Sequence, residues 1–176
     1  MNSVFIATSI DGYIATPDGG LSWLDEVPNV NSEDAGYSAF MARIDALVMG
    51  RSTYETVLGF EAWPYGKPVF VPTTTLTEVP EHLKGKVEFI SGTPQEIVSF
   101  LNAKGHKRLY IDGGKTIQRF LAAGLIDEMI ITRIPVVLGE GIPLFANEGT
   151  VQWFEHIHTE VFLGAMVQTQ YLLRKK

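Results

Sequence analysis

Apolar positions along this chain come in short runs, some continuous and some spaced by three and four, with glycine, proline and small polar residues between them. Residues 3–8 are apolar and β-branched and run into the polar turn Ser9-Ile10-Asp11-Gly12, the mark of a buried strand. A long irregular stretch follows over residues 11–31, carrying glycines, prolines and Trp23. Loops of that length inside compact domains are usually functional, which favours Trp23 as part of a lid over a buried plug. Ser32 stands where it can cap a helix with Glu33 and Asp34 in its first turn and Tyr37, Phe40, Met41 and Ile44 as its apolar stripe.

Further on, the pattern predicts strands over residues 46–49, 68–71, 87–90, 108–111 and 129–135. Helices are predicted at 52–58, closed by Gly59, and at 115–123, closed by Gly124. Thr93-Pro94-Gln95-Glu96 is a capping box with proline at the first helical position, so a helix runs from there to about Lys104. The alternating runs 153–161 and 165–173, joined at Leu163-Gly164, read as an antiparallel hairpin. Strand and helix alternate, which predicts a three-layer α/β/α fold around a mostly parallel sheet with an antiparallel edge. Ligands in such sheets bind beyond the carboxyl ends of the strands, so chemistry is expected at the turns after them.

The chain has 176 residues, the size of one domain, and no linker or repeat divides it. At 45% hydrophobic and 19% charged it is well inside the folding regime. A net charge of -6 argues against nucleic acid as a partner, since that affinity comes from basic side chains displacing counterions. No cysteine is present, which excludes disulfides, thiolate zinc sites and cysteine nucleophiles and suits a cytoplasmic location. No apolar run approaches the roughly 20 residues of a membrane span, and the first residues read as a strand and not a signal peptide. His156 and His158, one residue apart on a strand, would face the same side, but no third ligand has suitable spacing and no metal site is expected.

Two turns share one design of strand, glycine and helix start: Met49-Gly50-Arg51-Ser52-Thr53 and Ile111-Asp112-Gly113-Gly114-Lys115-Thr116. A residue without a side chain lets an anion approach the free N–H groups and positive dipole end of the helix that follows. One such turn is more often only a tight connection; two in one sheet, each with a cation and hydroxyls, point to a pyrophosphate held between two helix ends. Neither common nucleotide motif fits. A P-loop would need its first glycine at Leu109, and a Rossmann fingerprint at Gly139-Glu140-Gly141 would need one at Leu144.

These turns, with Ile6-Ala7-Thr8-Ser9-Ile10-Asp11-Gly12-Tyr13-Ile14-Ala15 and residues 135–145, resemble the dihydrofolate reductase superfamily. The resemblance covers nearly the whole chain and is closest to the branch of the riboflavin-biosynthesis reductase domain, the C-terminal half of the bifunctional deaminase-reductase. It implies an NADPH-dependent reductase acting on a small heterocyclic substrate, and a homodimer. Gly50, Arg51, Ser52 and Thr53 would meet the dinucleotide phosphates from one helix start, and Asp112, Gly113, Gly114, Lys115 and Thr116 from the other. Thr73 and Thr74 match the adenosine-side turn, where serine or arginine is more usual, and Ala7, Ile14 and Ala15 would line the nicotinamide. Counted back from Met49-Gly50, Asp34 falls at the substrate-anchoring carboxylate of the folate-reducing branch, with Glu33 and Asp25 as alternatives, and Thr132 at its threonine beside the pterin.

The resemblance leaves two substrates open, a ribosylaminouracil phosphate and a pterin. The first needs a cation, for which Arg133 and Lys67 are candidates; the second needs a carboxylate. A cofactor-binding module without turnover is the competing class.

Overall fold

The computed structural model describes residues 1–29, 31–145 and 151–174. One eight-stranded sheet organises the chain, in the order β5-β4-β3-β6-β1-β7-β10-β9. Its strands are β1 (Asn2–Thr8), β3 (Ala46–Met49), β4 (Val69–Pro72), β5 (Val87–Ile90), β6 (Leu109–Asp112), β7 (Glu128–Arg133), β9 (Phe154–Phe162) and β10 (Met166–Leu173). All pairs from β5 to β7 are parallel; β10 is antiparallel to both β7 and β9. A second, two-stranded sheet pairs β2 (Tyr13–Ala15) with β8 (Ile142–Pro143). The helices are α1 (Tyr37–Ala42), α2 (Arg51–Leu58), α3 (Pro94–Ala103) and α4 (Gly114–Ala122). This is the α/β architecture that the alternating pattern predicts.

Side chains alternate across the strands and so build two cores. One face carries Val4, Val48, Leu109 and Ile111 against Ile97 and Leu101 of α3 and Ile117 and Phe120 of α4. The other carries Leu47, Met49, Tyr110 and Ile130 against Phe40 of α1 and Tyr54 and Val57 of α2. α3 begins where its capping box predicts: Thr93 Oγ1 accepts from Glu96 N–H, and the Glu96 carboxylate accepts from Thr93 N–H at 2.8 Å. The terminal hairpin turns at Leu163 and Gly164, both at positive φ, and Ala165 N–H donates to Phe162 O at 3.0 Å.

Three local expectations are corrected. Ser32 does not cap a helix: it is left-handed at φ 52, and α1 starts only at Tyr37, after Ala35 (φ 48) and Gly36 (φ 80). Glu33 and Asp34 therefore lie ahead of the helix and not in its first turn. The stretch 11–31, of which Val30 lies outside the described residues, is not irregular throughout. It holds β2 and a 3-10 turn, Ser22–Glu26, whose Trp23 is 7% exposed and turned inward. Finally, a β-bulge between Gln170 and Tyr171 sets His158 opposite Gln170 and His156 opposite Tyr171, so the two imidazoles face opposite sides of the sheet.

Candidate cofactor and substrate site

β3 and β6 are neighbours, with Met49 opposite Asp112, so their carboxyl ends deliver two glycine turns side by side. From there α2 departs over one face of the sheet and α4 over the other. The turns interlock. Gly50 N–H donates to Asp112 O at 3.1 Å. A Cβ on Gly50 would sit 2.5 Å from Thr116 Oγ1, and one on Gly113 would sit 2.5 Å from Thr53 Oγ1. Gly113 also has φ 91, a conformation that disfavours any side chain. Unlike α3, neither α2 nor α4 has a side-chain cap or an acidic residue in its first turn. Two sets of uncapped N–H groups, each with a positive dipole end, thus meet at one edge, with Arg51, Ser52 and Lys115 exposed beside them. Such an arrangement offers an anion N–H donors from both faces.

The turn after β4 adjoins it. Thr73 N–H donates to Ile90 O, and Thr73 Oγ1 accepts from Leu76 N–H at 3.2 Å. Arg51 Nη1 donates to Thr75 Oγ1 at 2.8 Å, and its Nε lies 3.2 Å from Glu55. Thr75, which the sequence pattern did not single out, links the two segments; Thr74 is exposed. On the other side, Ile14 closes on α4: a Cβ on Gly114 would sit 2.8 Å from Ile14 Cδ1. The early loop is latched to residues 136–145. Asp11 accepts from Leu138 N–H at 3.1 Å and Gly139 N–H at 2.8 Å, and Ala15 pairs with Ile142. A Cβ on Gly141 would run into the Ala15 carbonyl, so this contact requires glycine.

The α1 side of the same edge holds a second group. Asp112 shares its face with Tyr110, and Thr132 with Ile130, while Ala7 lies between them on β1, opposite Thr132. Burial pushes the Asp112 carboxyl up to about 6, partly offset by Gly113 N–H, which donates to Oδ1 at 2.8 Å. Three phenols feel its charge: burial raises Tyr37, Tyr65 and Tyr110, and the Asp112 charge raises them further, Tyr37 to about 12. Thr132 is 4% exposed and accepts from Gln168 Nε2 at 2.9 Å; the same Nε2 donates to Ala35 O at 2.9 Å. One amide thus ties the segment before α1 to the sheet.

Asp34 lies outside this group. The Ser38 hydroxyl, Ser38 N–H at 2.9 Å and Gly36 N–H at 3.0 Å all donate to its exposed carboxylate, which orders the start of α1 and holds its carboxyl below the usual range. Glu33 and Asp25 are exposed as well. Lys67 precedes β4, at the edge of the sheet where the strands begin, and Arg133 follows Thr132 and so faces the opposite side. Asp112 and its tyrosines were missed as a group because strand pairing, not sequence proximity, assembles them.

The RibD C-terminal domain family matches residues 3–167. The chain belongs to that family. It is 39% identical over 173 residues to the uncharacterized protein YwjB of Bacillus subtilis, covering 96% of this chain and 95% of YwjB. A crystal structure of a putative riboflavin biosynthesis protein from Shewanella sp. PV-4 superposes with a TM-score of 0.95 at 52% identity, over 99% of each chain. Two distant structures share the fold. The deaminase/5-amino-6-(5-phosphoribosylamino)uracil reductase of Thermotoga maritima gives a TM-score of 0.77 at 12% identity, over 99% of this chain and 56% of that one. The dihydrofolate reductase of Enterococcus faecalis, complexed with NADP(H), gives 0.68 at 19% identity, over 99% and 97%. Among the described residues, no helix is long and apolar enough to cross a membrane.

Proposed function

We propose that this protein is an NADPH-dependent oxidoreductase that reduces a C=N or C=O group of a nitrogen heterocycle. The observation that carries the reading is the pair of interlocked, uncapped helix starts at Gly50 and Gly113, with a half-buried carboxyl group, Asp112, at the strand end. Membership of a reductase-domain family supports it. Bound NADPH would supply the hydride. The chain's part is to seat the diphosphate on Gly50, Arg51, Ser52, Thr53, Gly113, Gly114, Lys115 and Thr116, with Thr73, Thr74 and Thr75 on the adenosine side. Ala7, Ile14 and Ala15 line the nicotinamide side and exclude water. Asp112 is the residue suited to deliver a proton, because a carboxyl group with a value near 6 is partly protonated close to neutral pH.

Family membership favours a ribosylaminouracil phosphate as the substrate to try first. The second is a pterin, which the half-buried acid favours. A cytoplasmic homodimer completes the proposal. Titration with NADPH, followed by nicotinamide fluorescence, tests the cofactor seat. Gly113→Val is expected to weaken binding by at least tenfold, through a side chain forced against Thr53 and Gly50. Failure of the unaltered protein to bind NADPH or NADH at millimolar concentration overturns the reading.

A further inference from the structure

The small sheet has three residues on β2 and two on β8, too few to hold together alone in water. What it is fastened to therefore decides where it stands. At one end the fastening is to the segment after β7: Ile10 N–H donates to Val136 O at 2.8 Å, beside the Asp11 latch on Leu138 and Gly139. Within the sheet, Tyr13 stands opposite Pro143, and Leu144 N–H donates to Gly12 O at 3.0 Å.

At the other end the fastening is to α4. Gly114 and Gln118 are four residues apart and so share one face of that helix. Gly114 gives the small sheet room: a Cβ there would sit 2.8 Å from Ile14 Cδ1 and 3.5 Å from Ile142 Cγ2. One turn on, Gln118 Nε2 donates to Pro143 O at 2.8 Å. Among the described residues this is the one hydrogen bond between α4 and the small sheet. Proline has no N–H, so only a carbonyl is on offer at 143 and the side chain at 118 has to be a donor. We infer that Gln118 is a positioning residue: it pins the small sheet to the first turns of α4, so that the helix start seating the diphosphate also sets where Ile14 and Ala15 stand on the nicotinamide side. This rests on the reductase reading and adds to it a coupling between two parts of the cofactor site.

The test uses the full chain with NADPH and with 2′-phospho-ADP-ribose, a fragment of NADPH that lacks the nicotinamide ring. Gln118→Met keeps the length of the side chain and removes the donor; Gln118→Lys restores a donor of similar reach. In Gln118→Met, NADPH is expected to bind about fivefold more weakly while the fragment stays within about twofold of the parent. In protein without cofactor, the Leu144 amide of that variant should exchange its hydrogen about tenfold faster. Gln118→Lys should return the exchange rate and the ratio of the two affinities to the parent values, since its charge acts on the phosphates of both ligands alike. An equal loss for both ligands would mark a helix merely weakened and overturns the inference, as does unchanged exchange at Leu144 or a lysine that restores neither reading. Failure of the unaltered protein to bind NADPH counts instead against the reductase reading, and the Leu144 exchange then still judges the tie.

Discussion

At the scale of single residues, the decisive group is Asp112. Its carboxyl, ordinarily near 3.8, is held at about 6 by burial, so the folded chain keeps this proton to a higher pH than the unfolded chain does. The contribution of this one group to stability is therefore greatest below about pH 4, falls as pH rises towards 6, and is a constant cost above that. Asparagine keeps the acceptor for Gly113 N–H and cannot ionise. Asp112→Asn is expected to be more stable than the parent above pH 6, by on the order of 2 kcal/mol, and to converge with it below pH 4. Thermal melts across that range check this. If Asp112 also delivers the proton, reduction rates of the parent should decline above about pH 6, and the variant should lose that dependence.

At the scale of elements, what could be read from the sequence followed the range of the forces involved. α3 starts where Thr93, Pro94 and Glu96 put it, because a capping box is closed by residues three apart. The turns at Gly50 and Gly113 were legible for the same local reason. The start of α1 was not: Ser32, Ala35 and Gly36 are left-handed, and the side chain that reaches Ala35 is Gln168, on a strand far along the chain. Counting back from Met49 to Asp34 could not register a helix of only six residues. A similar long-range tie anchors the other end of α1. Buried Glu128 is met by Arg43 and by Gln170 Nε2 at 2.6 Å. Arg43→Met strands a carboxylate in the core and is expected to cost about 3 kcal/mol in denaturant unfolding. Adding Glu128→Gln to that variant should recover most of the loss, since a neutral amide no longer needs the cation.

At the scale of the whole molecule, β5 and β9 are the two edge strands of the sheet, and β9 has nearly all its residues exposed. Val161 is 57% exposed and Val167, opposite it on β10, 39%, while Ile157 is 46% exposed on the same strand. Apolar side chains on an open edge invite pairing, and an isologous contact between two copies closes the edge without leaving a new one. Such a contact fits the proposed homodimer. Light scattering at micromolar concentration is expected to give twice the 19.5 kDa chain mass, and Val161→Lys to halve it by placing two like charges across the symmetry axis. The helix starts at Gly50 and Gly113 belong to β3 and β6, and β1, β7 and β10 stand between β6 and β9. The monomeric variant should therefore bind NADPH as tightly as the parent. A monomeric parent would show that the open edge is protected by its charged residues alone, and a variant that lost NADPH would show that pairing reaches the cofactor seat through the intervening strands.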